Sequence, residues 1–114
     1  MRMKRLGRHG PEVSAFGLGC NGMSLTRRDE ESIATIQAAL DAGIGFLDTA
    51  DFYGMGHNES VIGRAIKGRR DEAFLSVKFG MLRSPSGAFL GVDGRPGSVK
   101  NFAANSLQIG RAHV

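Results

Sequence analysis

The sequence predicts an α/β fold with a parallel sheet, and within that class the opening units of a (β/α)8 barrel. Three observations carry this reading. Short apolar segments alternate with amphipathic helical ones, the order of successive βαβ units. The short segments are apolar at most positions, as strands covered on both faces are. The chain has 114 residues, enough for about three strand–helix units, whereas a closed eight-unit barrel takes about 250.

The elements follow in order. Residues 3–6 and 13–16 flank Gly7-Arg8-His9-Gly10-Pro11, a turn-rich spacer, and read as a β-hairpin. Residues 16–19, Phe-Gly-Leu-Gly, form a short apolar run that predicts the first barrel strand. A polar loop leads to Thr26, the expected N-cap of a helix, because Asp29, Glu30 and Glu31 follow it and favour the positive end of a helix dipole. Ile33, Ile36 and Leu40 recur at helical spacing, and Gly43 stops that helix. Residues 44–47 predict a second buried strand, ending at Asp48. A loop over residues 49–57 leads to a second helix with Val61, Ile62, Ala65 and Ile66 on one side, closed by Gly68-Arg69-Arg70. Residues 73–78 predict a third strand. Residues 79–97 hold five glycines and two of the three prolines, the composition of a long loop. Ser98 is placed to cap a last helix carrying Val99, Phe102, Ala103 and Leu107.

Composition excludes several function classes. Hydrophobic residues make up 41% and charged residues 23% of the chain, which suits a globular protein and excludes wholesale disorder. The net charge of +4 comes from scattered basic residues. Arg2, Lys4, Arg5 and Arg8 alternate with Met3 and Leu6, as on an exposed strand edge. Without a dense basic face or an aromatic platform, a nucleic-acid partner is not expected. Cys20 is the only cysteine, so no internal disulfide forms and a reducing compartment is expected. The first residues lack the apolar core of a signal peptide, and no apolar run approaches the roughly 20 residues of a membrane span. A cytoplasmic protein with no membrane partner is therefore expected. His9 and His113 have no companion at ligand spacing, so no metal site is expected.

Gly17, Gly19 and Gly22 match G-x-G-x-x-G, the dinucleotide fingerprint. In a doubly wound sheet the helix opens within that motif, so that its amino terminus meets the pyrophosphate. Here the capping signal stands at Thr26, beyond Met23-Ser24-Leu25. The preferred reading is a strand-to-loop turn that brings backbone near a cofactor; a Rossmann-type dehydrogenase segment is the alternative.

Asp48 ends the second predicted strand, Tyr53 follows in the loop, and Lys78 ends the third strand. In a parallel barrel the reacting groups sit at that carboxyl-terminal rim. A carbonyl that accepts hydride develops charge on oxygen and needs a proton. A phenol, with an unperturbed pKa near 10, is a weak source at neutral pH, but a neighbouring ammonium favours its anion. A carboxylate beside the amine keeps it charged and in place. Tyr53 is the single tyrosine of the chain.

With these residues in view, the stretch from Ala42 through Leu47-Asp48-Thr49-Ala50-Asp51-Phe52-Tyr53-Gly54, followed by Asn58-Glu59-Ser60-Val61-Ile62-Gly63, resembles the aldo-keto reductase signature. Val77-Lys78-Phe79-Gly80 is similar to the family's lysine strand, and residues 6–14 and 17–20 to its opening hairpin and first strand. The resemblance covers residues 3–107. It implies a TIM barrel whose bottom is plugged by the hairpin, NADPH bound without a Rossmann domain, and reduction of aldehydes or ketones to alcohols. Carried over by position, Tyr53 is the proton donor, Lys78 tunes it, and Asp48 partners Lys78. Asp48 with Cys20, Asn21 and Gly22 lies by the nicotinamide and its ribose. His57 does not match the family's histidine, which follows the next strand, and reads as a loop residue. The same fold also serves as a non-catalytic regulatory subunit of potassium channels, an alternative that retention of Asp48, Tyr53 and Lys78 disfavours.

After Leu107 the pattern departs from the family. Residues 109–114, Ile-Gly-Arg-Ala-His-Val, spell the peptide that ATC GGA AGA GCA CAC GTC, a sequencing-library adapter, would encode. The expectation is an artefactual tail on a barrel domain cut after about three units, a hairpin (3–16) with barrel units (16–107), inactive by itself. Different codons in the gene would end that reading of the tail.

Overall fold

Residues 1–110 are described by the computed structural model. Met3–Arg5 (β1) pairs antiparallel with Glu12–Ser14 (β2), with Lys4 opposite Val13. The predicted second strand thus ends at Ser14 rather than Phe16, although the Ala15 amide still bonds the Arg2 carbonyl at 2.8 Å. This hairpin lies under the amino-terminal ends of the main sheet. The Ser14 hydroxyl accepts a hydrogen bond from the Phe46 amide at 3.2 Å and donates to the Phe16 carbonyl at 2.6 Å.

The main sheet is Gly17–Gly19 (β3), Phe46–Ala50 (β4) and Phe74–Lys78 (β5), parallel in the order β3-β4-β5. Gly19 stands opposite Asp48, Asp48 opposite Ser76, and Ala50 opposite Lys78. Asp29–Asp41 (α1) and His57–Ala65 (α2) cover one face. Ile36 and Leu40 of α1 and Val61, Ile62 and Ala65 of α2 pack with Leu47, Cys20 and Met23 into one core, joined by Leu18 and Leu75. Since successive strand residues face opposite sides, this packing of Leu18, Leu47 and Leu75 turns Gly19, Asp48, Ser76 and Lys78 to the other face. The strands therefore turn Leu18, Leu47 and Leu75 toward the helices, with Thr49 bonding Asn58 of α2 on that side, and carry Asp48, Ser76 and Lys78 on the barrel-interior side. Truncating Leu47 or Ile62, both buried, to Ala would cost about 2–5 kcal/mol.

Several boundaries differ from expectation for physical reasons. Helix α1 starts at Asp29 with Arg28 at the N-cap, and no side chain caps it; Thr26 lies outside. The Asp29 carboxylate is bound instead by His57 and Arg64, which fixes where the helix begins. Strand β4 starts later than predicted, because the Glu72 carbonyl packs so closely on Gly45 that a Cβ there would stand 2.1 Å from it.

The segment read as a long loop contains a second hairpin, Met81–Arg83 (β6) with Phe89–Val92 (β7). Its turn, Ser84 to Gly87, is closed by Ser84, whose carbonyl accepts from the Gly87 amide at 2.8 Å and whose amide donates to the Ala88 carbonyl at 2.9 Å. The last helix, Pro96–Gly110 (α3), begins before Ser98. Proline suits a first helical turn, where its missing N–H costs nothing. Asp93 is the acceptor at this end, taking the Arg95 amide at 3.0 Å and the Ser98 hydroxyl at 2.7 Å. The reading of residues 109–114 as an artefactual tail falls mostly on residues 111–114, which lie outside the described residues. Among the described residues, no helix is long and apolar enough to cross a membrane.

Candidate active site

Asp48 and Lys78 reach the same face because β4 and β5 are adjacent and parallel. The Lys78 Nζ lies 2.5 Å from Asp48 Oδ2 and 3.0 Å from the Thr49 carbonyl oxygen. It also stands 5.0 Å from the centroid of the Tyr53 ring. Burial alone would push the Lys78 amine toward its neutral form; hydrogen bonding to Asp48 and to Tyr53, with their charges, outweighs this and raises its pKa above the ordinary lysine value. Both ion-pair side chains are nearly half exposed, so the group opens to solvent at the carboxyl-terminal rim. The three residues predicted to do the chemistry stand together.

Tyr53 reaches this rim through an unusual turn. As the chain leaves β4, the Asp51 amide bonds the Lys78 carbonyl at 3.0 Å and ties the turn to the end of β5. The 3-10 segment Tyr53–Gly56 then runs through left-handed backbone at Gly54 (φ 61), Met55 (φ 53) and Gly56 (φ 99). Met55 is the one non-glycine residue with positive φ among the described residues, a conformation that costs roughly 1–2 kcal/mol.

On the other side, the Cys20 amide bonds the Asp48 carbonyl at 3.0 Å and continues the β3–β4 ladder. The Cys20 side chain is fully buried in the core. Burial pushes its thiol up to about 11, Asp48 adding to the shift and Lys78 opposing it. Of the predicted cofactor-side group, Asn21 and Gly22 are exposed and Asp48 half-exposed, while Cys20 offers only its backbone. A 3-10 turn, Asn21–Ser24, follows Cys20, and α1 opens only at Asp29. No α-helix terminus therefore sits over Gly17, Gly19 and Gly22, and the phosphate mechanics of a Rossmann motif are missing.

A cavity of about 480 Å³ lies against Tyr53, walled by Asn21, Ser24, Leu25, Arg83 and Gly87 among others. Arg83 and Gly87 belong to the β6–β7 hairpin, so the segment that composition marked as loop builds part of the rim. Sequence reasoning also missed a polar network beside Tyr53. His57 Nδ1 lies 2.8 Å from the Ser24 hydroxyl, and His57 Nε2 lies 2.8 Å from Asp29 Oδ1. Nothing in the spacing of these residues signals the contact. Among the described residues Asp51 Oδ1 and Glu59 Oε1 are buried without a hydrogen-bond partner, and burial raises the pKa of both carboxyls. Among the described residues no group of three or more His, Cys, Asp or Glu side chains is placed to hold a metal.

The model of the aldo/keto reductase family matches residues 15–110 of the chain. The chain belongs to this family. Over 80 residues it is 40% identical to the uncharacterized oxidoreductase YqkF of Bacillus subtilis, covering 70% of this chain and 26% of that protein. Among solved structures it is similar to the aldo-keto reductase AKR11C1 from Bacillus halodurans in its holo form, with TM-score 0.85 and 34% identity over 97% of this chain and 37% of that one. It is also similar to the glycerol dehydrogenase AKR11B4 from Gluconobacter oxydans, with TM-score 0.77 and 29% identity over 96% of this chain and 36% of that one. The chain thus spans between about a quarter and two fifths of the length of these relatives. Its three-stranded parallel sheet with covering helices is part of the family's TIM barrel.

Proposed function

We propose that this aldo/keto reductase segment supplies the proton-donating side of an NADPH-dependent carbonyl reductase acting on small aldehydes or ketones in the cytoplasm. The observation that carries the proposal is the contact of Lys78 with both Asp48 and the Tyr53 ring. Tyr53 gives its hydroxyl proton to the carbonyl oxygen as that oxygen becomes an alkoxide. Lys78, held as an ammonium by Asp48, stabilises the phenolate that Tyr53 leaves behind. The cavity against Tyr53 offers room for a small carbonyl compound.

NADPH supplies the hydride when bound. The residues at the carboxyl end of β3 suit it. The spaces where side chains at Gly19 and Gly22 would stand are open, with no heavy atom within 4 Å of either Cβ position. The exposed Asn21 amide and the Asp48 carboxylate beside them offer hydrogen-bonding groups for a nicotinamide ribose. Cys20 serves this side through its backbone.

By the family resemblance a further histidine follows the next strand, and later loops hold the adenosine phosphate. The 114-residue chain alone is therefore proposed to be inactive. The test is a chimaera joining residues 1–107 to the remaining part of the B. halodurans aldo-keto reductase. The chimaera should oxidise NADPH in the presence of an aldehyde, and the 114-residue chain should not. A chimaera that folds and binds NADPH without turning over any aldehyde or ketone would refute the reading.

A further inference from the structure

We infer that His57 is a positioning residue, locked in its Nε2–H form between Asp29 and Ser24, and that this bridge holds the turn carrying Tyr53 in place beside Lys78. For the neutral ring, the direction of every hydrogen bond follows from the groups involved. The Asp29 carboxylate can only accept; its Oδ1 faces His57 Nε2 at 2.8 Å and its Oδ2 takes Arg64 Nη1 at 3.1 Å. In the neutral ring Nε2 therefore carries the hydrogen, and Nδ1 is left as an acceptor. The Ser24 hydroxyl, 2.8 Å from Nδ1, must donate to it.

The Ser24 oxygen in turn accepts from Asn58 Nδ2 at 3.0 Å. The other Nδ2 hydrogen goes to the Cys20 carbonyl at 2.7 Å, and Asn58 Oδ1 accepts from the Thr49 hydroxyl at 2.6 Å. The Thr49 carbonyl is the one that Lys78 Nζ touches. One ordered chain thus runs from Arg64 and Asp29 at the surface to the residue that contacts Lys78.

The turn rests on this chain. A Cβ at Gly54, next to Tyr53, would stand 2.9 Å from His57 Cβ and 3.2 Å from Ser24 Cβ. The backbone beside Tyr53 is therefore packed directly on the two bridge residues. Three successive left-handed residues carry backbone strain; the His57 amide closes the turn by bonding the Tyr53 and Gly54 carbonyls, so the residue that anchors the bridge also anchors the turn. His57 opens α2, Asp29 opens α1, and Ser24 closes the 3-10 turn after β3. The bridge ties all three segments around Tyr53.

The inference rests on the reductase reading, so the chimaera is the material for the test. Long-range proton–nitrogen correlation spectra of the histidine rings should show a protonated Nε2 and a bare Nδ1 at His57, assigned by the loss of those signals in His57→Gln. Asp29→Asn, whose amide can donate or accept, should release the tautomer into a mixture. Both Asp29→Asn and Ser24→Ala should lower kcat by about 10- to 100-fold, as small misplacements of a reacting group do; for Asp29→Asn, which does not line the cavity, the carbonyl KM should stay within about twofold. Ser24→Thr, which restores the hydroxyl, should recover most of the loss. A protonated Nδ1 in the unsubstituted protein, or unchanged kcat in folded Asp29→Asn and Ser24→Ala, would overturn the inference. The tautomer is read without turnover, so its outcome is separate from the failure of the reductase reading, which Tyr53→Phe reports.

Discussion

Lys78 Nζ lies 2.5 Å from Asp48 Oδ2 and 5.0 Å from the centre of the Tyr53 ring. The pair with Asp48 follows from sheet register. Lys78 is level with Ala50, two residues past Asp48 on the same face of the neighbouring strand, and a lysine side chain spans that offset. The approach of Tyr53 follows from the left-handed turn that carries it back over the strand end.

Replacing Asp48 should separate stability from activity. Both side chains of the pair are close to half exposed, and such pairs contribute about 0–1 kcal/mol. Asp48→Asn in the chimaera should leave the melting temperature within a few degrees while kcat falls at least about 10-fold, because the carboxylate that orients the Lys78 ammonium beside Tyr53 is gone. Calorimetry with NADPH-oxidation assays checks both parts.

The raised pKa of Lys78 sets where pH acts. An amine whose folded pKa lies above its unfolded value contributes stability that is complete below the unfolded value, about 10.4. That contribution is lost as pH rises through the folded value. Lys78→Met should therefore not alter the shape of the stability–pH curve between about pH 6 and 9, and should remove part of the alkaline fall in denaturant titrations.

Glu59 carries the opposite sign. It is only 5% exposed, Oε1 has no partner among the described residues, and burial, opposed by a hydrogen bond with Ser106, raises its pKa above the ordinary glutamate value. The folded chain holds that proton more tightly than the unfolded chain, so ionisation weakens folding as pH rises past about 4.5. Glu59→Gln should be more stable than the parent at pH 7, because no buried charge has to be desolvated. The difference should vanish below about pH 4. Paired urea titrations at the two pH values measure it.

Gly54 is needed for two reasons at once. Its φ of 61 is left-handed, and a Cβ would press on His57 and Ser24. Gly54→Ala should cost more than the roughly 1–2 kcal/mol of the backbone conformation alone and should lower kcat by moving Tyr53. Gly94→Ala, where a Cβ meets open space, is the control.

Much of this was legible in the sequence, for reasons that particular residues make plain. Asp48, Tyr53 and Lys78 could be placed because strand ends in a parallel sheet define one rim, and the strands were marked by local apolar runs. The β6–β7 hairpin was hidden because Gly87, Gly91 and Gly94 carry a loop composition; the pairing of Met81 with Val92 is not a local property. The start of α1 was misread at Thr26, since the residues that fix it, His57 and Arg64, come from another helix. The same distance in sequence concealed the role of His57, and the burial of Cys20 depends on helices that pack over it only in the folded chain.

The central claim is that Tyr53 delivers the proton. The most direct measurement is single-turnover NADPH oxidation by the chimaera carrying Tyr53→Phe, with cofactor binding followed by fluorescence. The expected result is a rate lower by about 10²- to 10⁴-fold, the range for a lost general acid, with NADPH affinity unchanged. A Tyr53→Phe protein that turns over at the parent rate would contradict the account.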